Sequence, residues 1–179
     1  MWTQLPNVGG PPRSAAFAFA LGDQIFVGSG TETNTFWAWD SNTSTWTQKA
    51  DFPSTTFGLV SFSISPFGYA GFGTNTQNSM DMGFWQYDPV DDAWLQKTSP
   101  PGSALSLPVG FALGNTGYVG TGFSGLEGEV NVFWKYNPAL DSWTLTAPMP
   151  DNGRTGALGL AVNGKGFVTG GVDAFNELN

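Results

Sequence analysis

The sequence predicts an all-β protein assembled from a repeated four-stranded unit. The first observation is a phrase that returns at fixed spacing. Trp37-Ala-Trp39-Asp40 ahead of Trp46 recurs as Trp85-Gln-Tyr87-Asp88-Pro89 ahead of Trp94, and as Trp134-Lys-Tyr136-Asn137-Pro138 ahead of Trp143. An aromatic running into glycines precedes each copy: Phe26-Val-Gly28-Ser-Gly30, Tyr69-Ala-Gly71-Phe-Gly73 and Tyr118-Val-Gly120-Thr-Gly122. A fourth such lead-in is Phe167-Val-Thr-Gly170-Gly171, and the last glycines of the four groups are 43, 49 and 49 residues apart. A period of that length marks repeats that bury their apolar faces only against their neighbours. The second observation is composition. With Gly 25, Pro 12, 15% aromatic and 11% charged residues, the chain is turn-rich rather than disordered. Gly or Pro interrupts every window long enough to hold a helix.

The elements follow in order. Met1-Trp2-Thr3-Gln4-Leu5-Pro6 matches Trp143-Thr-Leu-Thr, so residues 1–6 read as the outermost strand of an incomplete unit. A first complete unit covers 13–53. Arg13 to Leu21 is small and apolar, as an inner strand crowded on both faces requires. A Gly22-Asp23 turn leads to a second strand at Gln24 to Gly28, and a polar loop, Gly30 to Asn34, leads to a third at Thr35 to Trp39. A turn through Asp40-Ser-Asn-Thr opens the fourth at Trp46, turn residues falling at each junction. Units 54–101 and 102–150 repeat this order, with strands over Gly58 to Gly73, Phe84 to Lys97, Val109 to Gly122 and Val132 to Thr146. The last unit, 151–179, holds an inner pair and ends eight residues beyond Gly171, where the next Phe-Trp falls due after 11.

Glycines ending strand two, Tyr-Asp-Pro ending strand three and Trp opening strand four resemble the Kelch repeat across the whole chain. The first three groups depart from it by reading Gly-Ser-Gly, Gly-Phe-Gly and Gly-Thr-Gly; only Gly170-Gly171 are adjacent. The resemblance implies a β-propeller of Kelch-type four-stranded blades, about three and a half of them here, against the roughly four to eight of a closed ring. The eight Trp residues then serve as blade-to-blade packing. Two blade faces are left open, so either further blades belong to a longer chain or copies complete one another by strand exchange, in a ring or a filament. The abrupt start at a mid-blade Trp favours the longer chain.

Function is less legible. Six basic against fourteen acidic side chains give a net charge of -8, which repels phosphate backbones and argues against nucleic acid. No apolar run is long enough for a membrane span. Without His or Cys, the usual general base, the thiol nucleophile and the copper chemistry of galactose-oxidase-type propellers all lack their residues. Two arginines are too few for a sialidase-like cluster. Glu127 and Glu129 sit in a Gly-rich loop with nothing to raise a pKa, so no enzyme and no cofactor is expected. Asp88, Asp91 and Asp92 crowd one turn in a manner that suits calcium, but Asp88 reads as a turn cap and Asp91-Asp92 as a solvated loop tip. Asn42-Thr43-Ser44 is an idle glycosylation pattern.

Loops of varying content on a regular scaffold are where function sits. They supply Glu32, Asn34, Asn75, Gln77, Phe123, Glu127 and Asp173 as candidate binding residues. Arg13 and Arg154 match the Pro-Arg position that in some Kelch proteins reads acidic peptides; Ser54 and Ser103 lie near it in the middle units, so no complete basic ring is present, and each Arg reads more readily as a structural ligand for loop carbonyls. The expected function is a non-catalytic protein-interaction or scaffold module, extracellular or at a cell surface, whose partner is another protein or further copies of itself. Carbohydrate is a further candidate, through Trp and Phe beside polar loops.

Overall fold

The computed structural model describes residues 2–77 and 79–173. Among them are strands and turns but no helix, so no helix there is long and apolar enough to cross a membrane. β1 (Phe17–Leu21), β2 (Gln24–Gly28), β3 (Phe36–Asp40) and β4 (Thr45–Lys49) form one antiparallel sheet in sequential order. β5 (Val60–Ile64), β6 (Phe67–Gly71), β7 (Phe84–Asp88) and β8 (Ala93–Lys97) form the next. β9 (Leu105–Ser106) precedes the third sheet, which is built from β10 (Val109–Leu113), β11 (Thr116–Gly120), β14 (Phe133–Asn137) and β15 (Ser142–Leu145). Between β11 and β14, β12 (Phe123–Ser124) pairs with both β9 and β13 (Gly128–Glu129), a small sheet that no repeat pattern announces. β16 (Leu158–Val162) and β17 (Lys165–Thr169) make a final pair.

Successive sheets meet through aromatics placed by strand alternation. In β5, Val60, Phe62 and Ile64 are buried while Ser61 and Ser63 between them face the other side, the period-2 pattern of a strand. Phe36 of the first sheet meets Tyr87 at 4.8 Å and Trp94 at 5.0 Å in the second. Phe84 repeats this with Tyr136 at 4.9 Å and Trp143 at 5.0 Å. These edge-on and tilted geometries suit ring quadrupoles. Nearer the inner strands, Phe19 lies over Gly68, Phe62 over Gly117 and Phe111 over Gly166; a Cβ at those glycines would come within 2.2, 2.5 and 2.3 Å of the ring.

The inner strands β1, β5, β10 and β16 pack side by side, each against the next. Just before them runs a series of backbone bonds: Gly58 N–H to the Ala15 carbonyl (3.0 Å), Leu107 N–H to Gly58 (3.1 Å) and Gly156 N–H to Leu107 (3.3 Å). All four residues have positive φ (52°, 65°, 51° and 65° from Ala15 to Gly156). That kink at Ala15 is why β1 begins at Phe17 instead of Arg13.

The outer edge is tied across sheets as well. Trp94 Nε1 donates to the Ala50 carbonyl at 3.0 Å, and Trp143 Nε1 to that of Thr98 at 2.7 Å. Tyr87 donates to Asp92 Oδ1 at 2.7 Å, which also accepts the Ala50 N–H at 3.0 Å. Tyr136 and Asp141 do the same at 2.7 Å, with Thr98 N–H at 3.1 Å. Asp92 is therefore a structural ligand and not a solvated loop tip. Its neighbour Asp88 caps the turn through the amides of Val90 and Asp91, as Asp40 and Asn137 do in their repeats. Among the described residues, no group of three or more acidic side chains is arranged to hold a metal.

Two ends differ from the middle. Residues 2–7 form no strand and Trp2 is fully exposed, yet Trp46 Nε1 donates to the Pro6 carbonyl at 2.9 Å, repeating the tie of Trp94 and Trp143. At the other end Leu158, Leu160, Val162 and Phe167 face solvent. The remainder of the expected last unit, 174–179, lies outside the described residues.

Burial alone would push the Asp141 carboxyl up, but bonds from Tyr136 and Thr98 and the charge of Lys97 outweigh it and hold it below the usual aspartate range. Burial and the same bond push Tyr136 the other way, well above the ordinary phenol. A depressed carboxyl stabilises the fold fully above the unfolded aspartate pKa of about 3.9, and that contribution is lost as pH falls through the lower folded value. Asp141→Asn is accordingly expected to cost about 1 kcal/mol at neutral pH, read by urea unfolding. The gap from the parent protein should close on acidification below pH ~4; a gap that is constant with pH would contradict this.

Candidate binding site

Register decides which loops cluster. Phe17 pairs with Gly28, Gly28 with Phe36 and Phe36 with Lys49. The β2–β3 loop and the connection to the next sheet therefore leave from one edge. The same edge of the other sheets gathers the loops 72–83 and 121–132 and the connections 50–59 and 98–108.

Counting back four residues from the first paired residue of each inner strand (Phe17, Val60, Val109, Leu158) gives the equivalent positions Arg13, Thr56, Leu105 and Arg154. The counterparts of the two arginines are thus Thr56 and Leu105, not Ser54 and Ser103. Spacing from the prolines misplaces them because the connections differ in length.

What fills this position differs from repeat to repeat. In the first, the partly buried Arg13 donates through Nη1 to the Thr35 carbonyl (2.8 Å) and the Ser29 carbonyl (3.4 Å). Its Nη2 reaches Thr35 Oγ1 (2.8 Å) and the Gly9 carbonyl (3.2 Å). Burial lowers the Arg13 pKa from the ordinary arginine value. In the fourth repeat Arg154, only 4% exposed, donates to the Gly170 carbonyl at 3.1 Å and pairs with Asp151 at 3.2 Å. The second repeat fills the space with Asp81, which accepts from Ser54 Oγ at 2.8 Å and from Gly83 N–H at 2.8 Å.

The third repeat leaves it open. Leu105 stands for the arginine and Val132 for Thr35, and a cavity of about 190 Å3 opens between them and Trp134. Pro101 and Val130 extend its apolar wall, while Ser103, Ser124 and Glu127 add polar groups. Gly102, with φ +115°, keeps the floor open: even a Cβ there would stay 3.9 Å from the Trp134 ring. In the first repeat the preceding segment instead closes down, and a Cβ at Gly9 would fall 2.2 Å from the Trp37 ring. A second hollow of about 400 Å3 adjoins, sharing Glu127, Val130 and Val132 and adding Glu129 and Asp151.

The candidate residues named from sequence divide accordingly. Phe123 (39% exposed) and the exposed Glu127 lie on the loop beside the cavity, with Leu126 (87% exposed) between them. Arg154 is next door, its carbonyl accepting the Gly122 N–H at 2.7 Å, but its guanidinium is turned inward. Asn34 is a loop staple, donating to the Phe52 carbonyl at 3.0 Å; Asn131 is its counterpart, donating to Met149 at 3.1 Å. Asn75 closes its own loop by accepting the amides of Gln77 (3.0 Å) and Ser79 (2.8 Å). Glu32, with φ 63°, and Gln77 are exposed on the other loops, and Asp173 is half-buried beyond β17. Leu105, Val130, Val132 and Trp134 were missed, since nothing marks them until the repeats are laid over one another in register.

No family model and no curated protein matches the sequence. Among solved structures the chain is similar to one described as the structure of YjhT, with a TM-score of 0.82 and 16% identity over 96% of this chain. The match covers 63% of that chain. At this identity the likeness shows the fold alone.

Arg13→Ala should lower stability by about 1–3 kcal/mol, because it removes the donor shared by the carbonyls of Gly9, Ser29 and Thr35 and the Thr35 hydroxyl in a partly buried site. Arg13→Lys should recover little of this, since an ammonium cannot reproduce the planar fork. Glu32→Gln and Gln77→Ala, on exposed loops, should stay within about 0.5 kcal/mol of the parent protein in the same thermal melts.

Proposed function

We propose that the three four-stranded sheets and the β16–β17 pair belong to consecutive blades of a Kelch-type β-propeller and that the chain is a non-catalytic protein-interaction module. Each inner strand packs against the next, and the Ala15–Gly58–Leu107–Gly156 bond series links them; both support the propeller reading. The observation that carries the interaction reading is the cavity at Trp134, which opens on the loop edge where the exposed Phe123 and Leu126 stand. An apolar recess with a few convergent polar groups is the default form of a binding site. Exposed apolar side chains around it favour a macromolecular partner. His and Cys are absent from the sequence, so the recess lacks the usual general base and the thiol nucleophile.

A second reading, completion by further blades from another copy, is favoured by one observation. The open apolar face of β16–β17 and the unpaired residues 2–7 lie where a neighbouring blade would pack. The match spans 63% of the solved relative's chain, so that protein carries chain beyond the matched part.

A displayed-peptide library selected on the immobilised protein tests the interaction reading. Selected peptides should lose binding to Leu126→Ser and keep it to Val90→Ser, a change at an exposed position on a different turn. No enrichment, or enrichment indifferent to Leu126→Ser, would contradict it. Light scattering behind a sizing column separately tests the second reading: self-completion requires a defined multiple of the monomer mass that survives dilution.

A further inference from the structure

We propose that the third-repeat cavity receives a basic side chain, arginine or lysine, presented by a protein partner. This rests on the protein-interaction reading and names the chemistry of that partner. Its sign is opposite to that of an acidic peptide read by a ring of arginines, for the two arginines at that position are turned onto their own backbone.

The first argument is the fold's own use of the position. In the first and fourth repeats the chain places a guanidinium there that donates to backbone carbonyls, those of Ser29 and Thr35 and that of Gly170. Strand register puts Thr121 and Val132 at the equivalent positions of the third repeat, and Val132 lines the cavity. There Leu105 has no donor to offer and Val132 lacks the hydroxyl of Thr35. The third repeat keeps the backbone register of that position and carries no guanidinium in it.

The second argument is charge. Glu127 stands at the cavity and Glu129 and Asp151 at the adjoining hollow, and none of the chain's six basic residues lines either. Glu127 and Glu129 enter no salt bridge among the described residues, in which the ion pairs are Lys97–Asp141 and Arg154–Asp151. A cation reaching this mouth meets the carboxylates of Glu127 and Glu129, Asp151 being already paired with Arg154. A carboxylate or phosphate would be repelled.

The third argument is shape. The recess holds about 190 Å3, less than the ~300–1,000 Å3 that encloses a drug-sized molecule, and suited to one side chain. Trp134 offers an indole to a cation, the ring type best suited to that contact. Leu105 and Val130 line the path that an aliphatic stem would take. Ser124, 1% exposed, already accepts the Leu126 N–H at 3.3 Å and has a second lone pair for an incoming N–H.

The test is titration of the intact protein with acetyl-Gly-Arg-Gly-amide and its Lys and Gln counterparts, followed by calorimetry and tryptophan fluorescence at low salt. The Arg or Lys peptide should bind saturably, at least about tenfold tighter than the Gln peptide, and weaken as salt rises. Glu127→Gln, a change on an exposed side chain that should leave the melt untouched, should weaken the basic peptide by about tenfold. Leu105→Arg supplies the cation from within and should abolish binding; if that variant does not fold, Glu127→Gln carries the test. Equal affinity for all three peptides, no saturable binding, or binding indifferent to Glu127→Gln overturns the proposal. Saturable binding of neutral sugars in place of the basic peptides overturns it as well. Library peptides that lack basic residues yet depend on Leu126 would overturn it and leave the interaction reading standing. Failure of both experiments removes both.

Discussion

The structure depends on one close approach, repeated at every junction between sheets: a phenylalanine ring lying directly over a glycine. Phe19 on Gly68, Phe62 on Gly117 and Phe111 on Gly166 set how near consecutive sheets come. Any Cβ at those glycines would displace a ring that is itself part of the core. Because the contact uses the second strand of one sheet and the first of another, it also sets their relative placement. The outer aromatics can then meet edge-on, with Phe36 reaching Tyr87 and Trp94, and Phe84 reaching Tyr136 and Trp143. Dispersion and apolar burial supply the attraction at each seam, and the glycine makes the geometry available.

With the sheets so placed, polar groups do the locating. Each outer-strand Trp reaches back to a carbonyl of the preceding connection, and Tyr–Asp pairs hold the adjacent amide. At the inner end, left-handed residues pass backbone bonds from one sheet to the next. The loop edge thereby becomes a rigid platform, and the four equivalent positions at its base can vary in content without moving the strands. Arginine, threonine, leucine and arginine occupy them in turn, and a cavity opens at the leucine. The candidate site is a property of one repeat's departure from the others.

Much of this scaffold was legible in the sequence, because its determinants recur. The aromatic–glycine lead-ins, the Tyr-Asp turn and the Trp opening strand four predict the strand order of the three four-stranded sheets. Features without a repeated signature stayed hidden. The sheet of β9, β12 and β13 is made of two-residue strands, too short to show any period. The structural role of Asp92 and Asp141 had a signal that went unread: each lies five residues after a Tyr, whereas the first repeat has Trp39 and Ser44 at that spacing. The candidate site was visible in part. Phe123 and Glu127 stand out as loop residues, but Leu105, Val132 and Trp134 look like ordinary core until register shows what they replace. Arg13 and Arg154 could be read from sequence either as binding cations or as ligands for loop carbonyls, and the structure shows the second: both guanidinium groups donate to backbone carbonyls.

The bond series from Ala15 to Gly156 has a further consequence, for symmetry. Every link runs the same way, from an N–H of the later repeat to a carbonyl of the earlier one. The array is therefore polar, with a donor character at one terminus and an acceptor character at the other. A two-fold axis lying across the array would set like ends together, N–H against N–H or carbonyl against carbonyl, and lose the link. Rotation about the array's own axis preserves its sense and adds one rung. Whatever covers the open faces by extending this series, whether more chain or another molecule, is bound to arrive in the same orientation as the repeat it follows.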